Sequence, residues 1–227
     1  MNRDHSNARL QAIDGAEISA TRARPKNPNG LGLVIVQEVY GVTDSLRRVS
    51  QGFAEDGFEV LTPAFFDRIA PGIELASDAA GMARGREHVA HVGFDAPLRD
   101  LRAAADLLLS TGCRAVAVVG YCWGGVVAYL SATRLGLPAA SYYGRLIPQY
   151  LHERPQAPLI LHFGEQDELI PAASVAAIET RFPQLPLYRY PAGHAFNRIG
   201  DAHFHTHSAA LARERTIAFL TAQLELA

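Results

Sequence analysis

The sequence predicts an α/β fold, a doubly wound, mostly parallel sheet flanked by helices, formed by one domain over residues 1–227. Short apolar runs alternate with helical patterns of about 10 to 15 residues, which is typical of parallel sheets. The runs at residues 31–37 and 115–119 are almost wholly apolar, as expected for strands covered on both faces. No repeat, low-complexity segment or linker divides the chain, so one domain is expected.

Each element follows from its local pattern. Asp14-Gly15 predicts a hairpin turn between two strands in residues 9–24. Thr43 and Asp44 predict the start of a helix that ends near Gly57. The same reasoning predicts further strands at 58–61, 138–143, 158–163 and 187–190, helices at 78–92, 96–110, 172–181 and 206–225, a strand followed by a helix over 115–135, and irregular chain at 64–77.

Composition narrows the possible partners and compartments. The net charge is −2 and lysine and arginine form no block, so we expect no nucleic-acid partner and no membrane association. No apolar stretch reaches the roughly 18 residues of a membrane span, and the polar N-terminus predicts no secretory signal. Cys113 and Cys122 are separated by extended chain and lie too far apart for a disulfide. Two free thiols indicate a cytoplasmic protein.

Residues 115–125, Ala-Val-Ala-Val-Val-Gly-Tyr-Cys-Trp-Gly-Gly, are the most informative segment. They have the strand–turn–helix layout of a nucleophile elbow, G-x-S-x-G, with Cys122 in place of the serine. Gly120 and Gly124 stand two residues before and after Cys122, where a Cβ would collide with the tight turn. Alone, Cys122 is equally well a small buried apolar residue. The layout nevertheless predicts a hydrolase with a thiol nucleophile.

A thiol nucleophile needs a base and a group that orients the base. In elbow hydrolases these follow in the chain order nucleophile, acid, histidine, on loops after later strands. Asp167 follows the strand at 158–163, and His194 follows the strand at 187–190. Singly, Asp167 is a common turn residue and His194 an ordinary loop histidine. Their order and their loops together predict a Cys122–His194–Asp167 triad.

Four segments resemble the dienelactone hydrolase (carboxymethylenebutenolidase) family, and the resemblance extends from about residue 31 to the C-terminus. They are Gln37-Glu38-Val39-Tyr40-Gly41-Val42, Gly120-Tyr121-Cys122-Trp123-Gly124-Gly125, Gly164-Glu165-Gln166-Asp167 and Gly193-His194-Ala195-Phe196-Asn197-Arg198. The resemblance implies the α/β-hydrolase fold, a small-molecule ester or lactone substrate, and neither a cofactor nor a metal.

The resemblance also implies catalytic roles. Cys122 is the nucleophile, His194 the general base and acid, and Asp167 the carboxylate that orients the histidine. Glu38 is similar to an additional carboxylate of the family that helps to deprotonate the thiol once substrate enters. Because a nearby carboxylate opposes ionisation, the sulfur of the free enzyme is expected to rest as a thiol. From the residues alone, the alternative for Glu38 is a loop carboxylate paired with an arginine.

The resemblance further implies where the substrate is held. The oxyanion hole uses the backbone N–H groups of Val39 and Trp123. Arg198 holds the substrate carboxylate, for which a planar guanidinium is well suited. Tyr143 matches a tyrosine of the family's substrate pocket. The alternative for Arg198 is an ordinary surface arginine.

A second carboxylate-binding arginine of the family corresponds to Arg84 or Arg86, and the spacing does not distinguish them. The family has a tyrosine and a tryptophan just downstream, where this chain has residues 88–91, His-Val-Ala-His. We therefore expect a reshaped pocket. The histidines of residues 203–207, His-Phe-His-Thr-His, share a face only on a strand, and we interpret them as loop residues rather than metal ligands.

Together these observations predict a carboxylic ester hydrolase that cleaves a small, carboxylate-bearing lactone or ester through a cysteine acyl-enzyme intermediate. Two alternatives stay open. One is a broad carboxylesterase or thioesterase with a reshaped pocket. The other is a catalytically idle hydrolase fold that serves as a binding module. No obligate protein partner is evident from the sequence.

Overall fold

The computed structural model describes residues 5–226. The strands are β1 (His5–Gln11), β2 (Glu17–Ala23), β3 (Leu31–Val36), β4 (Glu59–Pro63), β5 (Ala115–Tyr121), β6 (Ala139–Tyr142), β7 (Leu159–Gly164) and β8 (Leu187–Tyr190). The helices are α1 (Asp44–Glu55), α2 (Ala79–Val92), α3 (Asp95–Ser110), α4 (Trp123–Arg134), α5 (Ala172–Arg181) and α6 (Thr206–Glu225). Short 3-10 helices occur at Phe65–Arg68 and Ile147–Tyr150. No helix among the described residues is long and apolar enough to cross a membrane.

The mostly parallel, eight-stranded sheet with its helices confirms the predicted α/β class. The predicted hairpin, strands and helices are all present near their predicted positions. Two details differ. β4 continues to Pro63 because β2 pairs with it antiparallel as far as the Ala20–Pro63 pair, and a pairing partner is invisible in a local pattern. The segment expected to be irregular contains the 3-10 helix Phe65–Arg68.

The chain divides into two compact units at the Ala117–Val118 bond, and the prediction of one domain stays a prediction. In the first unit the strand order is β1-β2-β4-β3, in which β1, β2 and β4 pair antiparallel and β3 pairs parallel with β4. β3 is buried along its whole length, as its apolar sequence predicts. Thr43 caps α1 by accepting the Leu46 N–H, as the helix-start signal predicts.

In the second unit the order is β5-β6-β7-β8, and all four strands are parallel. Parallel strands bring their carboxyl ends to one edge of the sheet, where such folds hold ligands. The segments that leave this edge begin with Cys122 after β5, Tyr143 after β6, Glu165 after β7 and Pro191 after β8. This topology therefore gathers the three predicted catalytic residues at one edge.

A buried ion pair fastens the β1–β2 hairpin turn to the rest of the first unit. Arg68 donates two hydrogen bonds to Asp100, at 2.7 and 2.8 Å, and the Asp100 side chain is fully buried. Arg68 also donates two to Asp14 in the hairpin turn, at 3.0 and 3.1 Å. Burial raises the pKa of Asp100 even though the Arg68 guanidinium acts to lower it. The Asp100 carboxylate thus depends on its guanidinium partner.

We expect Arg68→Leu to lower the free energy of unfolding at neutral pH by about 3 to 5 kcal/mol, because it leaves the Asp100 carboxylate buried without its partner. The loss should shrink as the pH falls. In the variant the folded state binds a proton at Asp100 more readily than the unfolded state, so acid favours folding at this group. Urea unfolding at neutral and mildly acidic pH measures both effects.

The matched control is Arg102→Leu, which removes an exposed partner of Asp106 on α3 and should cost less than about 1 kcal/mol. Equal losses for the two variants would contradict the buried-pair interpretation.

Candidate active site

The turn after β5 has the geometry of a nucleophile elbow. Cys122 has φ 55° and ψ −112°, a left-handed backbone that residues other than glycine rarely adopt. Its N–H donates to the Tyr142 carbonyl at 3.0 Å. A Cβ on Gly120 would lie 1.9 Å from the Gly124 carbonyl oxygen, and a Cβ on Gly125 would lie 2.5 Å from the Tyr142 carbonyl oxygen. The turn therefore closes only with glycine at these two positions.

The structure brings together the three residues predicted as a triad. His194 Nε2 lies 3.3 Å from Cys122 Sγ, and His194 Nδ1 lies 2.7 Å from Asp167 Oδ2. The Asp167 side chain is fully buried and that of His194 is 10% exposed. These distances fit a nucleophile that contacts a base, which in turn contacts an orienting carboxylate.

Asp167 is itself held in place. Its Oδ1 accepts the backbone N–H groups of Leu169 at 2.8 Å and Ile170 at 3.2 Å, which leaves Oδ2 to face His194. The loops that carry Asp167 and His194 are joined by the Gln166 N–H, which donates to the Ala192 carbonyl at 3.0 Å. The orienting carboxylate therefore has little freedom to turn.

Glycine permits the close approach of these two loops. A Cβ on Gly164, where β7 ends, would lie 2.3 Å from the Ala192 carbonyl oxygen. A larger residue at this position would push apart the loops that carry the acid and the base. Gly164 stands in the Gly-Glu-Gln-Asp segment of the sequence, but its role depends on a contact that the sequence does not show.

The charge balance of the site favours a protonated histidine. Burial by itself lowers the pKa of His194, but the facing Cys122 thiolate and the Asp167 carboxylate outweigh it and raise the pKa to about 10. Cys122 also stands at the N-terminal end of α4, where the helix dipole favours an anion. The arrangement therefore suits His194 to hold the proton that Cys122 gives up when it reacts, and the expectation that the sulfur of the free enzyme rests as a thiol stays a prediction.

The described non-glycine residues with positive φ are Cys122, Tyr143 (φ 40°) and Ala195 (φ 60°), and each lies in or beside the site. Backbone strain of this kind costs about 1 to 3 kcal/mol per residue and clusters at functional sites. Tyr143, predicted as a substrate-binding residue, is fully buried, and its ring centroid lies 5.0 Å from that of His194. The Tyr143 ring therefore packs against that of His194.

Arg198 lies on the same loop as His194, and its Nη1 contacts Asp201 Oδ2 at 3.1 Å. Both side chains are nearly buried. Asp201 also accepts the N–H and the Nδ1–H of His203. Asp201 has no distinctive signal in the sequence, since a carboxylate three residues after an arginine is a common surface pattern. Its presence places a negative charge beside the arginine predicted to hold a substrate carboxylate.

In the first unit, the segment with Glu38 and Val39 is held tightly. Both residues are buried. The Gln37 side chain donates to the Glu38 carbonyl at 3.3 Å and accepts the Phe65 N–H at 3.2 Å, a clamp that sequence reasoning missed. A Cβ on Gly85 of α2 would lie 2.1 Å from the Val39 carbonyl oxygen. Glycine at position 85 therefore allows α2 to pack closely against the backbone of Val39.

Arg84 and Arg86 flank Gly85 on α2, and both side chains are exposed. Neither their exposure nor their helix distinguishes the two candidates. His88, one turn further, packs edge-on against Phe66 with ring centroids 5.3 Å apart. His88 is therefore a packing residue of the first unit. It stands in the region where the family has a tyrosine and a tryptophan.

Two of the three histidines of residues 203–207 have local partners, and His207 lies in the first turn of α6 rather than in a loop. His203 bonds to Asp201, and His205 caps α6 by accepting the Ser208 N–H. Within residues 5–226 no group of three or more histidine, cysteine, aspartate or glutamate side chains is arranged to hold a metal ion. Both cysteines are free thiols.

Solved structures share the fold across nearly the whole chain. A Klebsiella pneumoniae protein, provisionally described as a dienelactone hydrolase, superposes with a TM-score of 0.83 and 24% identity, covering 96% of this chain and 98% of that one. A dienelactone hydrolase-like promiscuous phosphotriesterase from metagenomic libraries has a TM-score of 0.73 and 19% identity, with the same coverage. The Pyrococcus furiosus esterase Pf2001 has a TM-score of 0.70 and 14% identity, covering 97% and 92%. The fold is therefore that of the α/β-hydrolases.

Sequence comparison identifies the family. The carboxymethylenebutenolidase of Pseudomonas putida is 31% identical over 223 residues, covering 93% of this chain and 94% of the relative. Carboxymethylenebutenolidase 1 of Cupriavidus pinatubonensis is 29% identical over 223 residues, with the same coverage. The model of the dienelactone hydrolase family matches residues 18–224. With the elbow and the acid and histidine loops in the order expected from the sequence, the chain belongs to the dienelactone hydrolase family.

Proposed function

We propose that this protein is a carboxylic ester hydrolase that cleaves small lactones or esters through a cysteine acyl-enzyme. The observation that carries the proposal is the position of His194, 3.3 Å from Cys122 Sγ on one side and 2.7 Å from Asp167 on the other. Membership of the dienelactone hydrolase family and the curated lactone-hydrolase relatives support the same reaction class.

In the first step the Cys122 thiolate attacks the ester carbonyl carbon, and the carbonyl π electrons move to oxygen. His194 holds the proton that the thiol has lost, and Asp167 stabilises the imidazolium through Nδ1. Trp123 is the first residue of α4, and N–H groups at a helix N-terminus point outward along the axis toward an anion. We assign its N–H to the oxyanion. The family resemblance assigns the second donor to Val39.

Collapse of the tetrahedral intermediate breaks the carbon–oxygen bond, and the leaving oxygen takes the proton from His194. In a lactone the leaving group stays attached to the acyl chain as a hydroxyl or enol. Water then attacks the thioester while His194 takes a proton from it. The C–S bond breaks to release a carboxylic acid, and His194 returns the proton to the sulfur to restore the thiol. His194 thus acts as base when the thiol or the water loses a proton, and as acid when the leaving oxygen or the sulfur gains one.

Within the proposal, Glu38 is the additional carboxylate of the family, which assists deprotonation of the thiol when substrate binds. Its near-complete burial and the clamp on its backbone carbonyl support a fixed position for this carboxylate. Such a role requires a carboxylate whose backbone does not drift.

Two free thiols are consistent with a cytoplasmic location, which we retain as part of the proposal.

We propose a carboxylate-bearing substrate, held by Arg198 and assisted by Arg84 or Arg86, with Tyr143 beside the reacting group. One observation favours the second candidate function, a broad carboxylesterase. Asp201 neutralises part of the Arg198 charge, which weakens its attraction for a substrate carboxylate. Substrate preference at Arg198 therefore separates the two functions, while any ester turnover separates both from an idle binding module.

We expect Cys122→Ala to abolish hydrolysis of a chromogenic acetate ester without unfolding the protein, because alanine keeps the Cβ and meets the same backbone strain as cysteine. The matched control, Cys113→Ala, changes the other thiol, which precedes β5, and should keep full turnover. Burst kinetics and circular dichroism measure activity and fold. Undiminished turnover by the Cys122 variant would contradict the nucleophile assignment.

His194→Ala should lower kcat by several orders of magnitude, and Asp167→Asn by less, because the carboxylate acts one step away from proton transfer. The asparagine can still accept the Leu169 N–H but presents an N–H to His194 Nδ1, which reverses the tautomer. Steady-state kinetics give both values, and Glu168→Gln, on the same loop and exposed, is the control. A neutral Asp167→Asn variant would mean that another group orients the histidine.

Arg198→Ala should lower kcat/KM for carboxylate-bearing lactones about 10- to 150-fold and spare neutral esters of equal size, because a charge-assisted contact is worth about 1.5 to 3 kcal/mol. Arg181→Ala, at the exposed end of α5, is the matched control. Equal losses on both substrate types would show that Arg198 supports the loop through Asp201. No loss on either would transfer the binding role to Arg84 or Arg86, or indicate a substrate without a carboxylate.

A further inference from the structure

A chain of hydrogen-bonded side chains runs beneath the carboxyl edge of the sheet in the second unit, and the proposed reaction does not use it. It joins β6, β7, β8 and α6 and consists of Tyr142, His162, Tyr190, Arg215 and Thr216, which we call the His162 network. Tyr142, His162 and Thr216 are fully buried. Side chain to side chain bonds are a small minority of protein hydrogen bonds, so a chain of four, three of them buried, is unusual.

His162 is the centre of the network because both ring nitrogens have partners. Nδ1 lies 2.8 Å from the Tyr190 hydroxyl, and Nε2 lies 3.0 Å from Thr216 Oγ1. Thr216 Oγ1 lies 2.7 Å from the Tyr142 hydroxyl. At the other end, Arg215 Nη1 donates to the Tyr190 hydroxyl at 3.2 Å. Each partner comes from a different strand or from α6.

The network is held in one protonation state. Burial, helped by the Arg215 charge, lowers the pKa of His162 to about 3, so the ring is neutral at physiological pH. Arg215 can only donate, so the Tyr190 oxygen accepts from it and directs its own proton to Nδ1. The Nε2–H then donates to Thr216. A neutral, fully partnered histidine suits a structural brace and has no solvent access for proton transfer.

Two members of the network hold the active site through their backbone carbonyls. The Tyr142 carbonyl accepts the Cys122 N–H at 3.0 Å, and the His162 carbonyl accepts the Tyr143 N–H at 2.8 Å. Cys122 and Tyr143 are both in strained, positive-φ conformations. The strained backbone of Cys122 and Tyr143 is therefore hydrogen-bonded to residues whose side chains are held in place by the His162 network.

The network also contacts the loop that carries the histidine. The Phe196 ring, two residues after His194, has its centroid 5.1 Å from that of Tyr190 and 6.3 Å from that of Tyr142. Phe196 is fully buried. The residues whose backbone carbonyls hold Cys122 and Tyr143, and those whose rings contact Phe196, thus belong to one hydrogen-bonded network.

We propose that His162 and Thr216 are positioning residues, which set the distance between Cys122 Sγ and His194 Nε2 by fixing Tyr142 and Tyr190 from below. The inference rests on the proposed thiol-dependent hydrolysis. A displacement of about 1 Å between catalytic groups can cost about 100-fold in rate. A brace that holds both partners from the same set of side chains limits such displacements.

The test compares matched removals of a buried hydroxyl. Tyr142→Phe deletes the hydroxyl that Thr216 holds, and Tyr129→Phe deletes one that bonds only to the carbonyls of Tyr150 and Glu153, away from the network. Thr216→Val removes both network bonds of the threonine at constant shape. Thr216→Ser keeps the hydroxyl and is the conservative rescue variant.

We expect Thr216→Val to lower kcat about 10-fold or more with KM nearly unchanged, Tyr142→Phe to lower it less, and Thr216→Ser to restore it. Tyr129→Phe should lower Tm and leave kcat unchanged. If Thr216→Val does not fold, Tyr142→Phe against Tyr129→Phe decides the question. Losses of Tm without loss of kcat in the network variants would overturn the positioning role.

A second readout keeps this inference distinct from the proposed function. Alkylation of Cys122 by iodoacetamide, followed by peptide mass, reports the thiol–histidine geometry without any ester substrate. It should slow in Thr216→Val and Tyr142→Phe and be unchanged in Tyr129→Phe. Slowed alkylation in a protein that hydrolyses no ester would refute the proposed function alone. Unchanged alkylation in the network variants would refute the positioning role.

Discussion

The hydrogen bond from the Cys122 N–H to the Tyr142 carbonyl is the interaction on which the site depends. It fixes the residue that follows β5 to the end of β6, at a position whose φ is 55°, a conformation that costs about 1 to 3 kcal/mol and persists only where neighbouring contacts fix it. Gly120 and Gly125 leave room for the turn, and α4 begins at Trp123, directly after Cys122. Without this bond, Cys122 Sγ would lose its fixed distance from His194.

The charges around His194 then determine its pKa, and with it the proton transfer that the fixed geometry allows. Asp167 is buried and has one oxygen bound to two backbone N–H groups, so its other oxygen faces His194. Its charge, with that of a Cys122 thiolate, raises the pKa of His194 against the effect of burial. The ability of His194 to hold a proton therefore depends on the negative charges of Asp167 and Cys122. His162, equally buried but facing a cation, has its pKa moved in the opposite direction.

Two local contacts of this chain concern residues or regions that are proposed to bind substrate. Asp201 compensates Arg198, and His88 packs on Phe66 in a region where the family has other aromatic residues. Asp201 places a negative charge beside an arginine proposed to bind substrate, and His88 packs within the first unit; neither contact involves Cys122, His194 or Asp167. Family membership therefore fixes the type of chemistry more firmly than it fixes the molecule that undergoes it.

The sequence by itself determined the alternation of strands and helices, the elbow at Cys122, and the loops of Asp167 and His194, because glycine spacing and apolar periodicity are local signals. The end of β4 at Pro63 was missed because it depends on pairing with β2. The contacts of Gly164 with Ala192, of Arg198 with Asp201, and of His162 with Tyr190 and Thr216 were decided only by the tertiary structure. Partners far apart in the chain, or charges whose pairing depends on loop conformation, leave no periodic pattern, since folding alone brings them together.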